Sequence, residues 1–249
     1  MPRTLAVANQ KGGVAKTTTV ASLGAALSEL GQRVLLVDLD PQACLTFSLG
    51  VDPEDLDTSL HHVLLGTAKA RDIVITLDEG PDLLPATIEL ATAEVRLSRD
   101  TGAEQALRTV LRPLAASYDW VVVDCPPTLG LLTVNGLTAA SEVLIPLQCE
   151  TLAHRGVGQL LDTIHDVQQL TNPGLEILGV LPTLYDGRTT HARTVLETIS
   201  GTYELPVLDP PIPKSIRFAE APAIGQTILT TAPASPGASA YRELAKALL

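Results

Sequence analysis

Five short apolar runs, each unbroken, constrain this chain more than any other feature. They are Leu5-Ala-Val-Ala8, Val34-Leu-Leu-Val ahead of Asp38, Trp120-Val-Val-Val ahead of Asp124, Val143-Leu-Ile-Pro-Leu147 and Ile177-Leu-Gly-Val-Leu181. A strand with one wet face alternates apolar and polar residues, so a run without alternation is a strand buried on both faces. Between the runs lie residues at helical spacing: Val20, Leu23, Leu27 and Leu30, then Val157, Leu160, Leu161, Ile164, Val167 and Leu170. Gly31 is placed to close the first of these helices. Buried strands alternating with helices predict an α/β fold, a mostly parallel twisted sheet covered by helices on both faces. No repeat or linker divides the chain, so residues 1–249 are expected to form a single domain. Residues 50–100 are the least legible. Their acidic turn (Asp52, Glu54, Asp55, Asp57) reads as a solvated loop, and Leu208–Pro213 reads as an ordered loop within the domain.

Composition narrows the function classes. Hydrophobic residues at 45 % and charged residues at 18 % exclude general disorder. No apolar run reaches the ~18 residues of a membrane helix, and no signal-peptide core follows Met1. The three cysteines (Cys44, Cys125, Cys149) are widely spaced, which fits a reducing cytoplasm rather than a disulfide framework. His61-His62 has no third ligand nearby in sequence, so no zinc site is expected. The net charge is −11, which opposes polyanion binding because phosphate neutralisation needs Lys and Arg. The imbalance lies entirely within residues 1–183. The remaining quarter is neutral, with Arg188, Arg193, Lys214, Arg217, Arg242 and Lys246 matched by six acids. Any contact with nucleic acid is therefore expected there. Seven aromatics are too few for a base-stacking platform.

Chemistry enters at Lys11-Gly12-Gly13-Val14-Ala15-Lys16-Thr17-Thr18, between the first strand and the first helix. Glycines let the backbone curl until successive N–H groups point inward, and the helix N-terminus adds its positive dipole end. Phosphate oxygens fit such a nest, with Lys16 on the β/γ-phosphates and the Thr17 hydroxyl on Mg²⁺. The match to the P-loop pattern G-x-x-x-x-G-K-[ST] is incomplete, since Ala15 replaces the last glycine and position 10 is Gln. Asp124 ends a buried strand, where P-loop NTPases place the acid that holds Mg²⁺ through water. Asp38 and Asp40 follow another strand. A parallel sheet gathers all these strand ends on its carboxyl edge, where ligands bind. Asp38, at the strand terminus, suits a capping role; Asp40, ahead of Pro41-Gln42, suits a loop facing the phosphates.

In this order and spacing, KGGVAKTTT, VLLVDLDPQ and VVVDCPP resemble the deviant Walker A ATPases, and within them the ParA/Soj partition family. The likeness runs on through Leu84-Pro-Ala-Thr87, Tyr185-Asp-Gly-Arg-Thr189, Ile212–Pro222 and Ala232–Ala238, nearly the whole chain. The resemblance implies a P-loop NTPase fold and slow ATP hydrolysis with Mg²⁺. It implies that Lys11 reaches the partner's nucleotide phosphates in an ATP-sandwich homodimer, and that Asp40 orients the attacking water, also holding Mg²⁺ through water. Pro213 and Ser215 would contact the base side of ATP; relatives often have Asn at the latter position. A methyl group at Ala15 would crowd the phosphates or slow dimer closure if that residue needs positive φ. Arg188 and Arg217 align with a nonspecific DNA-contacting surface of the dimer.

The implied function is chromosome or plasmid partition: ATP favours the dimer, the dimer binds double-stranded DNA, and a ParB-like partner stimulates the hydrolysis that releases it. The protein would then be cytoplasmic and nucleoid-associated. No helix-turn-helix extension precedes the P-loop, so operator binding is not expected. Tyr241, Leu244, Leu248 and Leu249 form an apolar helical face read as core. They are not followed by the basic amphipathic tail of MinD-type relatives, so no membrane partner is expected. The alternative reading is a MinD-like membrane-associated or other cargo-positioning ATPase without DNA binding.

Overall fold

The computed structural model describes residues 2–77, 80–150 and 153–249. The chain runs β1 (Arg3–Val7), α1 (Lys16–Glu29), β2 (Val34–Asp38), α2 (Cys44–Ser48), α3 (Leu60–Leu64), α4 (Ala70–Ile73), β3 (Asp82–Leu84), α5 (Leu90–Leu97) and α6 (Ala106–Leu111). It continues through β4 (Trp120–Asp124), α7 (Leu131–Ala139), β5 (Glu142–Gln148), α8 (Ala153–Leu170), β6 (Glu176–Thr183), α9 (Thr190–Tyr203), α10 (Arg217–Glu220), α11 (Ile228–Thr231) and α12 (Pro236–Leu248). The six strands form one all-parallel sheet in the order β3-β2-β4-β1-β5-β6.

Each apolar run of the sequence is a strand, and the reason for its continuity is visible in the packing. Successive side chains of β2 go to opposite faces. Leu35 and Val37 pack with α3, α5 and α6, and Val34 and Leu36 pack with α1 and α12. Both faces are dry, which explains why the run is apolar up to Asp38, whose carboxylate is met by hydrogen-bond donors.

The first helix closes as the sequence predicts. Gly31 takes φ +80°, its N–H bonds the Ser28 carbonyl (2.9 Å), and Gln32 N–H reaches back to Leu27 (3.1 Å). This pair of bonds is the Schellman arrangement. On α8, Val157, Leu160, Ile164 and Val167 are buried as expected, but Leu170 is 79 % exposed. It is the last residue of α8, after which the chain turns through Thr171 and Asn172, whose N–H groups both bond the Val167 carbonyl. On α12, Tyr241, Leu244 and Leu248 are buried against α1, whereas the terminal Leu249 is exposed. Strand β3 escaped prediction because three residues are too few to show a period.

The carboxyl ends of three strands converge. Val7 of β1 stands opposite Asp124 of β4, and Asp124 stands opposite Asp38 of β2. The glycine loop, the Asp40 segment and the Asp124 terminus therefore share one edge.

Candidate active site

The phosphate loop is shaped from its flanks. Asn9, buried just after β1, donates its amide to the Pro146 carbonyl (2.7 Å) and accepts the Lys11 N–H (2.9 Å), which turns the chain into the loop. At the end of β6, the Thr183 hydroxyl donates to the Val14 carbonyl (3.0 Å) and pins the loop from the other side. Gly12 and Gly13 are exposed, and Gly13 takes φ +75°, which glycine adopts freely. Ala15 takes φ 64°, ψ 33° without that freedom. The left-handed backbone feared at this position is thus present, at a cost of about 1 kcal/mol. Helix α1 begins at Lys16, so the N–H groups of Lys16, Thr17 and Thr18 are those a helix leaves without internal acceptors.

Charge is concentrated at the loop's base. Lys16 is buried, and its Nζ donates to the Lys11 carbonyl (3.2 Å). Burial pushes its ammonium below the usual lysine range, and the nearby Asp124 and Asp40 carboxylates pull it back up. Asp124 is buried at the end of β4, and neither of its oxygens has a hydrogen-bond partner among the described residues. The Thr17 hydroxyl lies near enough to act on its charge without a bond of good geometry. Burial, and then the charge of Asp38, raise the Asp124 carboxyl well above its ordinary range. A buried carboxylate without partners is costly unless a cation completes it. A hard divalent ion fits these oxygens together with the Thr17 hydroxyl.

The remaining predicted residues divide. Asp40 is half-buried, with Oδ1 accepting the Gln42 N–H (2.9 Å), and it lies within electrostatic reach of Lys16 and Asp124. Lys11 is ion-paired with Glu150, a residue that drew no attention in the sequence. Pro213 stands opposite Tyr185 in an isolated parallel bridge, and Lys214 N–H bonds the Tyr185 carbonyl (3.3 Å). The segments carrying Arg188 and Ser215–Arg217 are therefore neighbours. Arg188 is exposed and paired with Asp186 (2.8 Å), and Arg217 is paired with Glu220 (2.8 Å). Among the groups that sequence reading passed over, Asn9 had the clearest signal, an Asn three residues before the Gly12-Gly13 turn. Thr183 and Glu150 are joined to the loop only by tertiary structure. His62 serves locally, its Nδ1 accepting the Ser59 N–H at the start of α3 (3.2 Å).

The thiols are unsuited to attack. Burial raises Cys125 most, Cys149 to about 11, and Cys44 to a lesser degree, whereas a nucleophilic cysteine needs a lowered pKa. A concavity of about 920 Å³ lined by Ser28, Gly31, Leu77 and Thr230 opens near the other end of α1. That is roughly 18 Å along the helix from Lys16, and it has no part in this site.

The family described as an AAA domain matches residues 2–177. The chain is 47 % identical to the chromosome-partitioning ATPase Soj of Thermus thermophilus, covering 99 % of this chain and 95 % of that one. It is 43 % identical to the sporulation initiation inhibitor protein Soj of Bacillus subtilis, covering 99 % and 98 % respectively. A crystal structure described as cobyrinic acid a,c-diamide synthase from Mycobacterium smegmatis, with bound ADP and magnesium, is 60 % identical. It superposes with a TM-score of 0.89 over 100 % of this chain and 94 % of that one.

Proposed function

The chain belongs to the ParA/Soj family of P-loop ATPases, and from that premise we propose that it is a DNA-partition ATPase whose ATP-bound form is a homodimer. The observation that carries the reading is the buried Asp124 carboxylate, without partners, set beside Lys16 and Thr17 on the carboxyl edge. Mg²⁺ would be held there by the Thr17 hydroxyl, and through water by Asp124 and Asp40. It would supply charge neutralisation on the β- and γ-phosphates of ATP. The loop N–H groups from Gly12 to Thr18 cradle the phosphates, Lys16 supplies fixed charge where the leaving oxygen develops negative charge, and Asp40 orients the attacking water. Pro213 and Ser215 flank the base.

Lys11 acts across the dimer. Its pairing with Glu150 is solvent-exposed, worth about 0–1 kcal/mol. Exchanging that carboxylate for a partner's phosphate is therefore a small expense. ATP can bias the monomer–dimer equilibrium only through its differential affinity for the dimer, and Lys11 provides that difference.

Arg188 and Arg217 leave neighbouring segments of the quarter of the chain that is not acidic, and each is held only by an exposed local acid. Dimerisation doubles them to four cations, a nonspecific phosphate-contacting surface. DNA binding by the ATP dimer would keep the protein nucleoid-associated, and a ParB-like centromere-binding partner that stimulates hydrolysis would complete the cycle by releasing it. Among the described residues no helix is long and apolar enough to cross a membrane. The apolar face of α12 is spent on α1, which counts against the MinD-like alternative.

The similarity to the protein described as a diamide synthase supports a second reading, ATP-dependent amidation. The raised thiols argue against glutamine-derived ammonia from this chain. One experiment separates the two. Binding to a long nonspecific duplex is measured with ATP, with ADP and without nucleotide, alongside an assay for cobyrinic acid amidation by ammonia with MgATP. ATP-specific DNA binding without amide product supports partition. Amide product without DNA binding overturns it.

A further inference from the structure

The segment that carries Asp40 is tied down by a side chain the reaction does not otherwise use. Asp38 and Thr46 are both fully buried. Asp38 Oδ1 accepts the Asp40 N–H (3.2 Å), while Oδ2 accepts both the N–H (2.8 Å) and the hydroxyl (2.7 Å) of Thr46. One carboxylate thus grips both ends of the loop from Asp40 to Thr46. Between those ends the chain bends sharply, with Ala43 at φ 51° and its N–H on the Asp40 carbonyl (2.9 Å).

The grip does not end at Thr46. Its hydroxyl accepts the Ala86 N–H (3.0 Å), so it bridges Asp38 to the Leu84-Pro-Ala-Thr87 stretch. The sequence singled out that motif, and the nucleotide site leaves it without a task. That stretch is itself anchored: Pro85 accepts the Leu60 N–H (2.9 Å), and Thr87 shares a hydroxyl contact with Ser59 (2.9 Å). Leu39 N–H meanwhile bonds the carbonyl of Asp124 (3.1 Å). The loop is therefore fastened to the strand that ends in Asp124 and to the chain beyond β3.

We propose that Asp38 and Thr46 form a positioning staple that holds Asp40 in register with the phosphate loop for the hydrolytic step. The inference rests on the reading of Asp40 as the water-orienting residue. An aspartate is needed in the staple because all three incoming groups are donors. Asn in either amide orientation would set its NH₂ against an N–H, at Asp40 or at Thr46.

Thr46→Val keeps the shape of the side chain and removes the bridge. Single-turnover cleavage of ATP should fall tenfold or more, while binding of a fluorescent ATP analogue with Mg²⁺ stays within about twofold. Thr46→Ser should restore cleavage to within about twofold of the parent. Asp38→Asn should show the same split between cleavage and binding, and it carries the test if the valine variant does not fold. Asp40→Ala should abolish cleavage, and adding Thr46→Val to it should cost nothing more, because the two act on one step. Wild-type cleavage by Thr46→Val with a silent Asp40→Ala would overturn the staple alone. Equal loss of affinity and rate, or no rescue by serine, would overturn it too. An active Asp40→Ala would overturn the reading beneath it and the staple together.

Discussion

Ala15 shows at the scale of one residue how the loop's geometry and its chemistry conflict. Its left-handed backbone suits glycine, and alanine holds it against a steric cost. Ala15→Gly should raise stability by up to ~1 kcal/mol, or about 2–4 °C in melting temperature for a chain this size, with MgATP affinity kept or tightened. A fall in melting temperature would show that the methyl group packs usefully. The carboxylates give a prediction about pH. Burial raises Asp38 to about 6 and Asp124 well above the ordinary range. The folded state therefore binds protons that the unfolded chain has released. Without Mg²⁺, these groups contribute a loss of stability as pH rises from about 4 through about 6. Asp124→Asn removes one such group, so it should gain stability relative to the parent across that window. Chemical denaturation at pH 4.5 and 7 in EDTA checks the sign. The order should reverse in MgATP, where the parent carboxylate has its cation.

Among the elements, α1 does two jobs and α12 secures it. Its N-terminus presents the phosphate loop, and deeper along it Thr19 shares a buried hydroxyl contact with Tyr241 (2.9 Å). Tyr241→Phe leaves the Thr19 hydroxyl buried without its partner. It should cost about 1–3 kcal/mol in unfolding free energy with little change in nucleotide affinity. Much of this scale was legible beforehand. Five of the six strands could be read, because two-sided burial forbids polar interruptions, and α1 and α8 showed their helical spacing. Residues 50–100 could not be read, nor could α6 beyond them. Helices α3 to α6 span four to eight residues each, and β3 only three, too short to repeat a pattern. The site divided in the same way. Lys11, Lys16, Thr17, Asp40 and Asp124 stand in contiguous motifs on one strand edge. Glu150, Thr46 and Thr183 act through hydrogen bonds and ion pairs between segments far apart in sequence, which no local spacing encodes.

For the whole molecule, the account requires an acidic protein to bind a polyanion, and it localises the means. Four arginines in a dimer predict a slope of roughly −3 to −4 in the logarithm of DNA affinity against the logarithm of salt concentration. Replacing Arg188 and Arg217 by alanine should flatten that slope and leave ATP binding intact. An unchanged slope would place the surface elsewhere. The central claim is that ATP, and not ADP, brings two copies together around this edge. Sedimentation velocity of the Asp40→Ala variant with Mg²⁺ and either nucleotide tests it most directly. The account predicts a monomer with ADP and a dimer with ATP, the dimer being lost when Lys11→Ala is added. A single sedimenting species, unchanged by nucleotide, would contradict it.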